Sequence, residues 1–231
     1  MRIARQEIVD NHARLAERDA VFRRFGYDVD RSAAFVLSHA LPLSGKILEI
    51  GTGKGGFLTD LLAYVSRVTS IDVDPAAQRC ALLNVAFEKP PGRARFMIAD
   101  AADLPWSDHA FDSVVSVNAL HHMKNVQPVI GEILRVAKPG GKIVLADFNS
   151  RGFAIMNKVY RYEKRIHERF PCRLKELARR FAICGWTAVL RSDECLDVMI
   201  AVKASAHGDG MTQKGSRITS TGSCIKKSPR K

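Results

Sequence analysis

The chain has 231 residues and a mass of 25.6 kDa, a length that fits one α/β domain with attached segments. Hydrophobic residues make up 46% of the chain and charged residues 26%, which excludes a fibrous repeat and wholesale disorder. The formal net charge is +12, but residues 1–150 carry 18 basic and 17 acidic side chains. A protein that coats nucleic acid along its whole length is therefore disfavoured.

Cysteine spacing and hydropathy give two further exclusions. The five cysteines are scattered and none forms a Cys-x-x-Cys pair, so neither a disulfide framework nor a thiolate metal site is predicted. A reducing compartment fits this usage best. The charged N-terminus lacks the apolar core of a signal peptide, and no stretch approaches about eighteen consecutive apolar residues. We therefore expect a cytoplasmic protein without a transmembrane segment.

The first 150 residues alternate between helical and strand patterns. Residues 1–45 are predicted to form N-terminal helices, at 4–25 and 31–40. Short apolar runs, typical of strands buried on both faces, follow. They are Lys46–Ile50, Val68–Asp72, Arg95–Ala99, Ser113–Val117 and Lys142–Ala146. Helical patterns lie between them at 56–64, 75–87 and 126–137. This alternation predicts a parallel sheet with right-handed crossovers.

A basic segment, residues 150–172, follows the fifth predicted strand. Its apolar residues recur at helical spacing, and they are Ile155, Val159, Tyr162, Ile166 and Phe170. A basic stripe recurs beside them and consists of Lys158, Arg161, Arg165 and Arg169. The pattern predicts a basic amphipathic helix with two open interpretations. It is either a cap docked by its apolar face or an electropositive lid over an acidic substrate, a nucleic acid or an anionic membrane.

The remaining residues complete the fold and then lose their pattern. A helix is predicted over 174–184, a break at Gly185-Trp186, and strands at 187–191 and 196–202. From residue 204 onward, glycine, serine, threonine and lysine dominate and apolar periodicity disappears. We expect residues 204–231 to be a disordered basic tail, because they cannot bury enough surface to offset the entropy of ordering.

The strongest local signal is a glycine turn after the first predicted strand. Gly51, Gly53, Gly55 and Gly56 follow it closely and precede a helix, so a ligand can approach the backbone there. The spacing also satisfies the Gly-x-Gly-x-x-Gly fingerprint of dinucleotide-binding proteins, with Asp72 at the end of the next strand. A nicotinamide-dependent oxidoreductase is therefore an open alternative at this point.

Three further motifs separate the alternatives. Glu49 precedes the glycines by two positions, where an acid could engage a positively charged ligand. Asp100 opens the run Asp-Ala-Ala-Asp-Leu-Pro-Trp, and Phe111-Asp112 opens the fourth strand. With these residues the chain resembles the class I S-adenosylmethionine-dependent methyltransferases, from Lys46 to Phe148. The resemblance implies an α/β, Rossmann-like fold: a seven-stranded, mainly parallel sheet with helices on both faces and an antiparallel last strand, over residues 46–203.

The resemblance also implies a binding site for S-adenosylmethionine. The loop under its amino-acid end would consist of Gly51, Thr52, Gly53 and Gly55, supported by Glu49. Asp72 would bind the ribose hydroxyls and Val73 would pack on the adenine. Asp100 and the Ala101 backbone would bind the adenine amino group, and Asn118 would lie near the sulfonium. The run Lys138–Gly141 resembles the turn before the fifth strand.

A histidine pair follows the fourth predicted strand. The element Leu-His121-His122 resembles one found in the ubiquinone/menaquinone C-methyltransferase-like group. We expect a packing or hydrogen-bonding role for His122 and treat His121 as a candidate catalytic residue that lines the active site, where an imidazole would suit a general base. The sequence predicts no metal site here, because no third His, Asp or Cys lies at usable spacing.

The sequence therefore predicts methyl transfer from S-adenosylmethionine to a small or medium-sized, possibly acidic acceptor. Such a transfer depends on alignment and exclusion of water, so no covalent nucleophile is required. The alternatives are the nicotinamide-dependent oxidoreductase and a non-catalytic cofactor-binding or RNA-binding module. Nucleic acid is the less favoured partner, because no aromatic-interleaved basic strand occurs. The oligomeric state and the acceptor are not predicted.

Overall fold

The computed structural model describes residues 3–170 and 172–204. The helices are α1 (Arg5–Arg24), α2 (Val29–Ala40), α3 (Gly56–Leu61), α4 (Pro75–Glu88), α5 (Val126–Val136), α6 (Ser150–Tyr162) and α7 (Leu174–Ile183). The strands are β1 (Ile47–Ile50), β2 (Val68–Asp72), β3 (Ala94–Ile98), β4 (Phe111–Val117), β5 (Ala137–Phe148), β6 (Thr187–Ser192) and β7 (Leu196–Val202). No helix in the described ranges is long and apolar enough to cross a membrane. The predicted disordered tail lies outside the described residues, apart from Ala204.

The seven strands form one sheet in the order β3-β2-β1-β4-β5-β7-β6. Strands β1 to β5 are parallel, whereas β7 is antiparallel to both of its neighbours, which confirms the predicted fold class. The chain moves outward from β1 to β3 and then returns to add β4 on the other side of β1. This reversal opens a crevice outside the carboxyl ends of β1 and β4, where open parallel sheets bind ligands.

Helices cover both faces of the sheet, so the central strands are buried on both sides and consist mainly of apolar residues. All four β1 residues are buried, and the central β4 and β5 residues are buried as well. One face packs against α5 and α7 through Ile133 and Phe181, and the other packs against α2 and α3 through Val36 and Leu58. Each fully buried aliphatic side chain contributes about 1.5–3 kcal/mol relative to an exposed one. The burial holds the strand ends, and therefore the crevice, in fixed positions.

Helix α1 forms one wall of this crevice by packing on α4. The ring of His12 stacks on Phe87 at 3.7 Å between centroids, and Asn11 Nδ2 donates to the Cys80 carbonyl at 3.1 Å. Arg79 Nη2 lies 2.7 Å from Oε1 of Glu7 on α1. Helix α1 is therefore attached to the sheet domain by stacking, a partly buried hydrogen bond and an ion pair.

The predicted helix over the basic segment is wrong beyond Tyr162. Helix α6 ends in a Schellman motif, in which Lys164 N donates to Arg161 O at 3.1 Å and Arg165 N donates to Tyr160 O at 2.8 Å. Lys164 has a φ of +55°, which reverses the chain direction. Of the later residues assigned to the apolar face, Ile166 is 91% exposed and Phe170 N donates to the His121 carbonyl at 2.7 Å. The hydrogen bond between Phe170 and His121, which are distant in the sequence, thus takes the place of a helical hydrogen bond at this position.

The expected turn before the fifth strand is also corrected. Residues 138–141 lie inside β5, where its pairing with β4 changes register between Phe111 and Ser113. Asp112 stabilises this irregularity, because its carboxylate accepts from Lys46 N at 2.8 Å and from Lys138 Nζ at 2.6 Å. These bonds give Asp112 a structural role in the fold.

The packing of α7 gives a stability prediction. Phe181 is fully buried against Trp186, whereas Ile183 on the same helix is 67% exposed. We expect Phe181→Ala to lower the free energy of unfolding by about 3–5 kcal/mol, because it leaves a core cavity. Ile183→Ala should change it by no more than about 0.5 kcal/mol. Urea unfolding of both variants measures this difference, and equal effects would contradict the described packing.

Candidate active site

The glycine turn after β1 brings the chain against the end of β4. Gly51, Gly53 and Gly55 all have positive φ, and the Gly51 and Thr52 amides donate to the Ile71 carbonyl at 2.9 and 3.0 Å. A Cβ on Gly51 would lie 2.3 Å from the Ala119 Cβ, so the fold requires glycine there. A Cβ on Gly53 would meet no atom within 4 Å, so open space lies above this backbone.

Glu49 lies buried beneath the turn in a hydroxyl network. Its side chain accepts from Ser70 Oγ at 2.5 Å, and that oxygen lies 2.6 Å from Thr52 Oγ1. Burial raises the pKa of Glu49 to about 8, and the charge of Asp72 acts in the same direction. Glu49 is therefore mostly a neutral carboxylic acid at pH 7, and a cation placed beside it would favour its ionised form.

Asp72 fixes the turn at the end of β2. Its Oδ2 accepts from Gly53 N at 2.7 Å and its Oδ1 accepts from Asp74 N at 2.9 Å. The next residue, Val73, is 65% exposed. At the end of β3, Asp100 is exposed and accepts from Ala102 N at 2.8 Å, while Ala101 is buried. The predicted adenosine-binding residues thus lie at two adjacent strand ends.

A cavity of about 510 Å³ lies between the glycine turn, α1, α2 and α6. The predicted site residues that line it are Glu49, Gly51, Thr52, Gly53, Gly55, Asn118 and His121. Asp72, Val73, Asp100 and Ala101 do not line this cavity and lie at the open strand ends beside it. Sequence reasoning missed the aromatic lining residues, which include Phe22, Tyr27, Phe148 and Tyr160.

Asn118 connects the end of β4 to the N-terminal helices. It has a φ of +53°, and its Nδ2 donates to the Tyr27 hydroxyl at 3.3 Å. Its Oδ1 is buried and has no hydrogen-bond partner among the described residues. Burial raises the pKa of Tyr27 to about 12, so the phenol stays protonated. The cavity wall therefore contains an amide oxygen that is available to accept a hydrogen bond.

His121 is held by Asp147, a residue that the sequence analysis missed. Nδ1 of His121 lies 2.5 Å from Asp147 Oδ1, and its backbone amide donates to Asp147 Oδ2 at 3.0 Å. The His121 and Asp147 side chains are 2% and 3% exposed. The remaining His121 nitrogen, Nε2, has no partner within residues 3–170 and 172–204. Asp147 lies near the carboxyl end of β5, where open parallel sheets bind ligands, so its position in the sequence could have identified it as a candidate site residue.

Two more histidines lie against His121. His122 is exposed, and its Nδ1 lies 3.2 Å from the Glu168 carbonyl, in keeping with the hydrogen-bonding role expected for it. His167 stacks on Tyr160 at 4.3 Å between centroids. One ring nitrogen from each histidine lies within 4.8 Å of the others. No sequence spacing indicated that His167 would complete this group, since the chain returns to it only after α6.

Burial and neighbouring positive charge affect the outer two histidines. Burial lowers the pKa of His167 to about 4, and His121, His122 and Arg169 add to this effect. Partial desolvation of its ring by neighbouring side chains, and then His121, lower the pKa of His122 as well, although the residue is exposed overall. Both rings are therefore mainly neutral at pH 7 and retain a lone pair on one nitrogen.

Comparison with known proteins matches a stretch of the chain that contains part of this site. The model of a methyltransferase-domain family matches residues 48–145. The chain is 32% identical over 111 residues to the O-methyltransferase cnsE of Penicillium expansum. It is 38% identical over 112 residues to the 2-methyl-6-phytyl-1,4-hydroquinone methyltransferase of Synechocystis sp.. These matches cover 47% and 48% of this chain but 40% and 34% of the relatives. The chain thus spans less than half the length of these curated relatives.

A solved structure shares the fold over a longer part of the chain. The phosphoethanolamine N-methyltransferase 2 of Haemonchus contortus, solved in complex with S-adenosyl-L-methionine, matches with a TM-score of 0.60. The match covers 76% of this chain and 53% of that chain at 17% identity. At this identity the likeness concerns the fold alone.

The buried carboxyl of Glu49 gives a pH prediction. Its native pKa of about 8 exceeds its ordinary value of 4.5, so the native state holds a proton that the unfolded state releases between these values. The associated stability is complete below pH 4.5 and is lost as the pH rises through 8. Glu49→Gln stays neutral, so from about pH 5 to 9 the wild type should lose about 1 kcal/mol or more relative to this variant.

Urea unfolding at several pH values measures this difference. The matched control is Glu176→Gln, which removes an exposed carboxylate from α7. The control should follow the wild type at every pH. If Glu49→Gln also follows the wild type, the carboxyl of Glu49 is not buried in its neutral form.

Proposed function

We propose that this chain, whose residues 48–145 match a methyltransferase-domain family, is a class I S-adenosylmethionine-dependent methyltransferase that transfers a methyl group to a small-molecule acceptor. The observation that carries the proposal is the open space above Gly53, which lies beside a buried, neutral Glu49 and shares one cavity with His121. The named relatives are methyltransferases, so the oxidoreductase alternative is not favoured. A cytoplasmic location remains a prediction from the sequence.

The residues present fit the proposed cofactor. A cationic methionine end would find the glycine turn, the carboxyl of Glu49 and the unpartnered Oδ1 of Asn118 around one space. Thr52 and Gly55 would complete the loop beneath that end. The carboxylate of Asp72 would bind the ribose hydroxyls, in addition to its bonds within the turn. The adenine would lie at the strand ends, against Val73, Asp100 and Ala101.

Bound S-adenosylmethionine supplies a sulfonium methyl group that is already activated for displacement. The chain itself must align the acceptor and exclude water. The walls formed by α1 and α6 suit this task, because Phe22, Met156 and Tyr160 line the cavity with apolar and aromatic surface. His121 is the group placed to receive an acceptor proton at Nε2, since Asp147 holds Nδ1.

The lining favours a planar, hydroxylated acceptor. Aromatic and imidazole rings surround the space next to His121, and one of the relatives is named for a hydroquinone. The acidic character of the acceptor receives weaker support. Lys158 and Arg161 are exposed on α6 and do not line the cavity, and Arg165 is paired with Glu163 at 3.0 Å. We therefore propose a phenol or hydroquinone, with an anionic substituent as a secondary feature.

Asp72 provides a test of cofactor binding with a nearby control. Asp72→Asn removes the charge that would strengthen hydrogen bonds to the ribose, each worth about 1.5–3 kcal/mol. Affinity for S-adenosylmethionine should fall by at least about tenfold. Asp74→Asn removes a charge two positions away but keeps an oxygen to cap α4, where Asp74 accepts from Ala76 N at 2.8 Å. Calorimetric titration should give near wild-type affinity for Asp74→Asn, and equal losses would remove Asp72 from the site.

The activity itself is tested in two steps with the full chain. Calorimetry should give lower dissociation constants for S-adenosylmethionine and S-adenosylhomocysteine than for NAD. Formation of S-adenosylhomocysteine is then followed with neutral and carboxylated phenols and hydroquinones, at low and high salt. If the carboxylated acceptors react faster than the neutral ones at low salt but not at high salt, this result would support an anionic acceptor. Binding of NAD without either sulfur nucleoside would overturn the proposed function.

A further inference from the structure

Three histidines from two separate parts of the chain meet at one end of the cavity. His121 and His122 follow β4, whereas His167 lies in the irregular segment after α6. All three line the cavity that also contains the glycine turn. We propose that His121, His122 and His167 bind one divalent transition-metal ion of the Zn²⁺ type.

The spacing of the rings suits such an ion. One nitrogen from each ring lies within 4.8 Å of the other two. Tetrahedral zinc with nitrogen ligands at about 2.0–2.1 Å requires ligand separations of roughly 3.3 Å. Small rotations of the side chains would reach this geometry. His167 lies outside regular secondary structure, so its ring can move toward the pair without breaking a helix or strand.

The hydrogen bonds of His121 and His122 involve Nδ1 of each ring and leave Nε2 available to bind a metal. Nδ1 of His121 faces the carboxylate of Asp147, and Nδ1 of His122 faces the Glu168 carbonyl. Metal-binding histidines usually bond their second nitrogen to a carboxylate or a carbonyl in this way, which fixes the tautomer and the ring direction. The Nε2 atoms of both rings are thus left with lone pairs.

Packing alone does not satisfy the buried nitrogens. The rings do form an aromatic cluster, with His121 against Phe153 at 5.2 Å and His167 stacked on Tyr160. Nevertheless, Nε2 of His121, on a side chain about 2% exposed, has no partner among the described residues, and neither has the buried Nδ1 of His167. A buried polar atom without a partner costs about 1–3 kcal/mol. A bound metal would satisfy the His121 nitrogen.

The charges around the cluster permit a cation. Asp147 places a carboxylate on His121. The guanidinium of Arg169, which lies over the Phe153 ring 4.6 Å from its centroid, opposes a cation, and the carboxylate of Asp147 offsets this charge.

Three protein ligands would leave a fourth position for a small molecule. This arrangement is typical of catalytic rather than structural zinc sites. If the proposed function holds, an acceptor hydroxyl could occupy that position and release its proton to solvent more easily, and His121 would then act as a ligand instead of as the base. This consequence rests on the proposed function, whereas metal binding itself does not.

Metal binding is tested on the full chain without a histidine tag. The protein is stripped with a chelator and titrated with Co²⁺ and Zn²⁺, while cobalt absorption, calorimetry and elemental analysis report binding. We expect about one ion per chain and a cobalt spectrum without a thiolate charge-transfer band, since the ligands are histidines. His167→Ala should weaken binding by more than the 10–100-fold typical of losing an outer-shell partner. The matched control is His39→Ala, on α2, which should bind as the wild type does.

His122→Ala provides a second variant at an exposed position, in case His167→Ala fails to fold. Thermal unfolding supplies an independent readout, because Zn²⁺ should raise the melting temperature of the wild type and of His39→Ala only. Absence of saturable binding, or equal binding by the folded variants, would overturn the proposal. Separate titration with S-adenosylmethionine distinguishes this outcome from failure of the proposed function, since the latter predicts cofactor binding whether or not a metal binds.

Discussion

The divergence of the chain at the carboxyl ends of β1 and β4 is the constraint on which the site depends. These strands are neighbours, but one continues toward β2 and the other toward β5. The chain segments that follow the two strands approach each other closely at this crevice. Gly51, after β1, contacts Ala119, after β4, without room for a side chain on Gly51. Glu49 below this contact and Asn118 beside it are therefore fixed in the cavity wall. The covered faces of the sheet hold this geometry in place.

The same enclosure explains the unusual chemistry of the polar residues. Glu49 and the pair formed by His121 and Asp147 are almost fully buried. Burial favours the neutral carboxyl of Glu49, and the carboxylate of Asp147 fixes the His121 ring. One end of the cavity therefore holds a neutral carboxyl, which under the proposed function would respond to the cationic cofactor, while the other end presents a directed imidazole lone pair. Under the proposed function, this difference between the two ends of the cavity would suit transfer of a methyl group from a cofactor bound at one end to an acceptor bound at the other.

The segment after β5 joins these two ends. Helix α6 contributes Met156 and Tyr160 to the cavity, and the Schellman motif at Lys164 then turns the chain back. His167 consequently reaches His121 and His122, and the Phe170 amide bonds to the His121 carbonyl. The basic helical pattern thus did not predict that a non-helical part of this segment brings His167 against the histidine pair.

The sequence by itself determined the sheet class, the glycine turn and the acids at the ends of β1, β2 and β3, because these depend on local periodicity and on residues close to each strand. It also marked His121 and His122. Only the tertiary structure decided that α6 ends at Tyr162 and that Asp147 and His167 lie against His121. The physical reason is that a helix end and a side-chain cluster here depend on hydrogen bonds and packing between distant residues, which a local pattern does not contain.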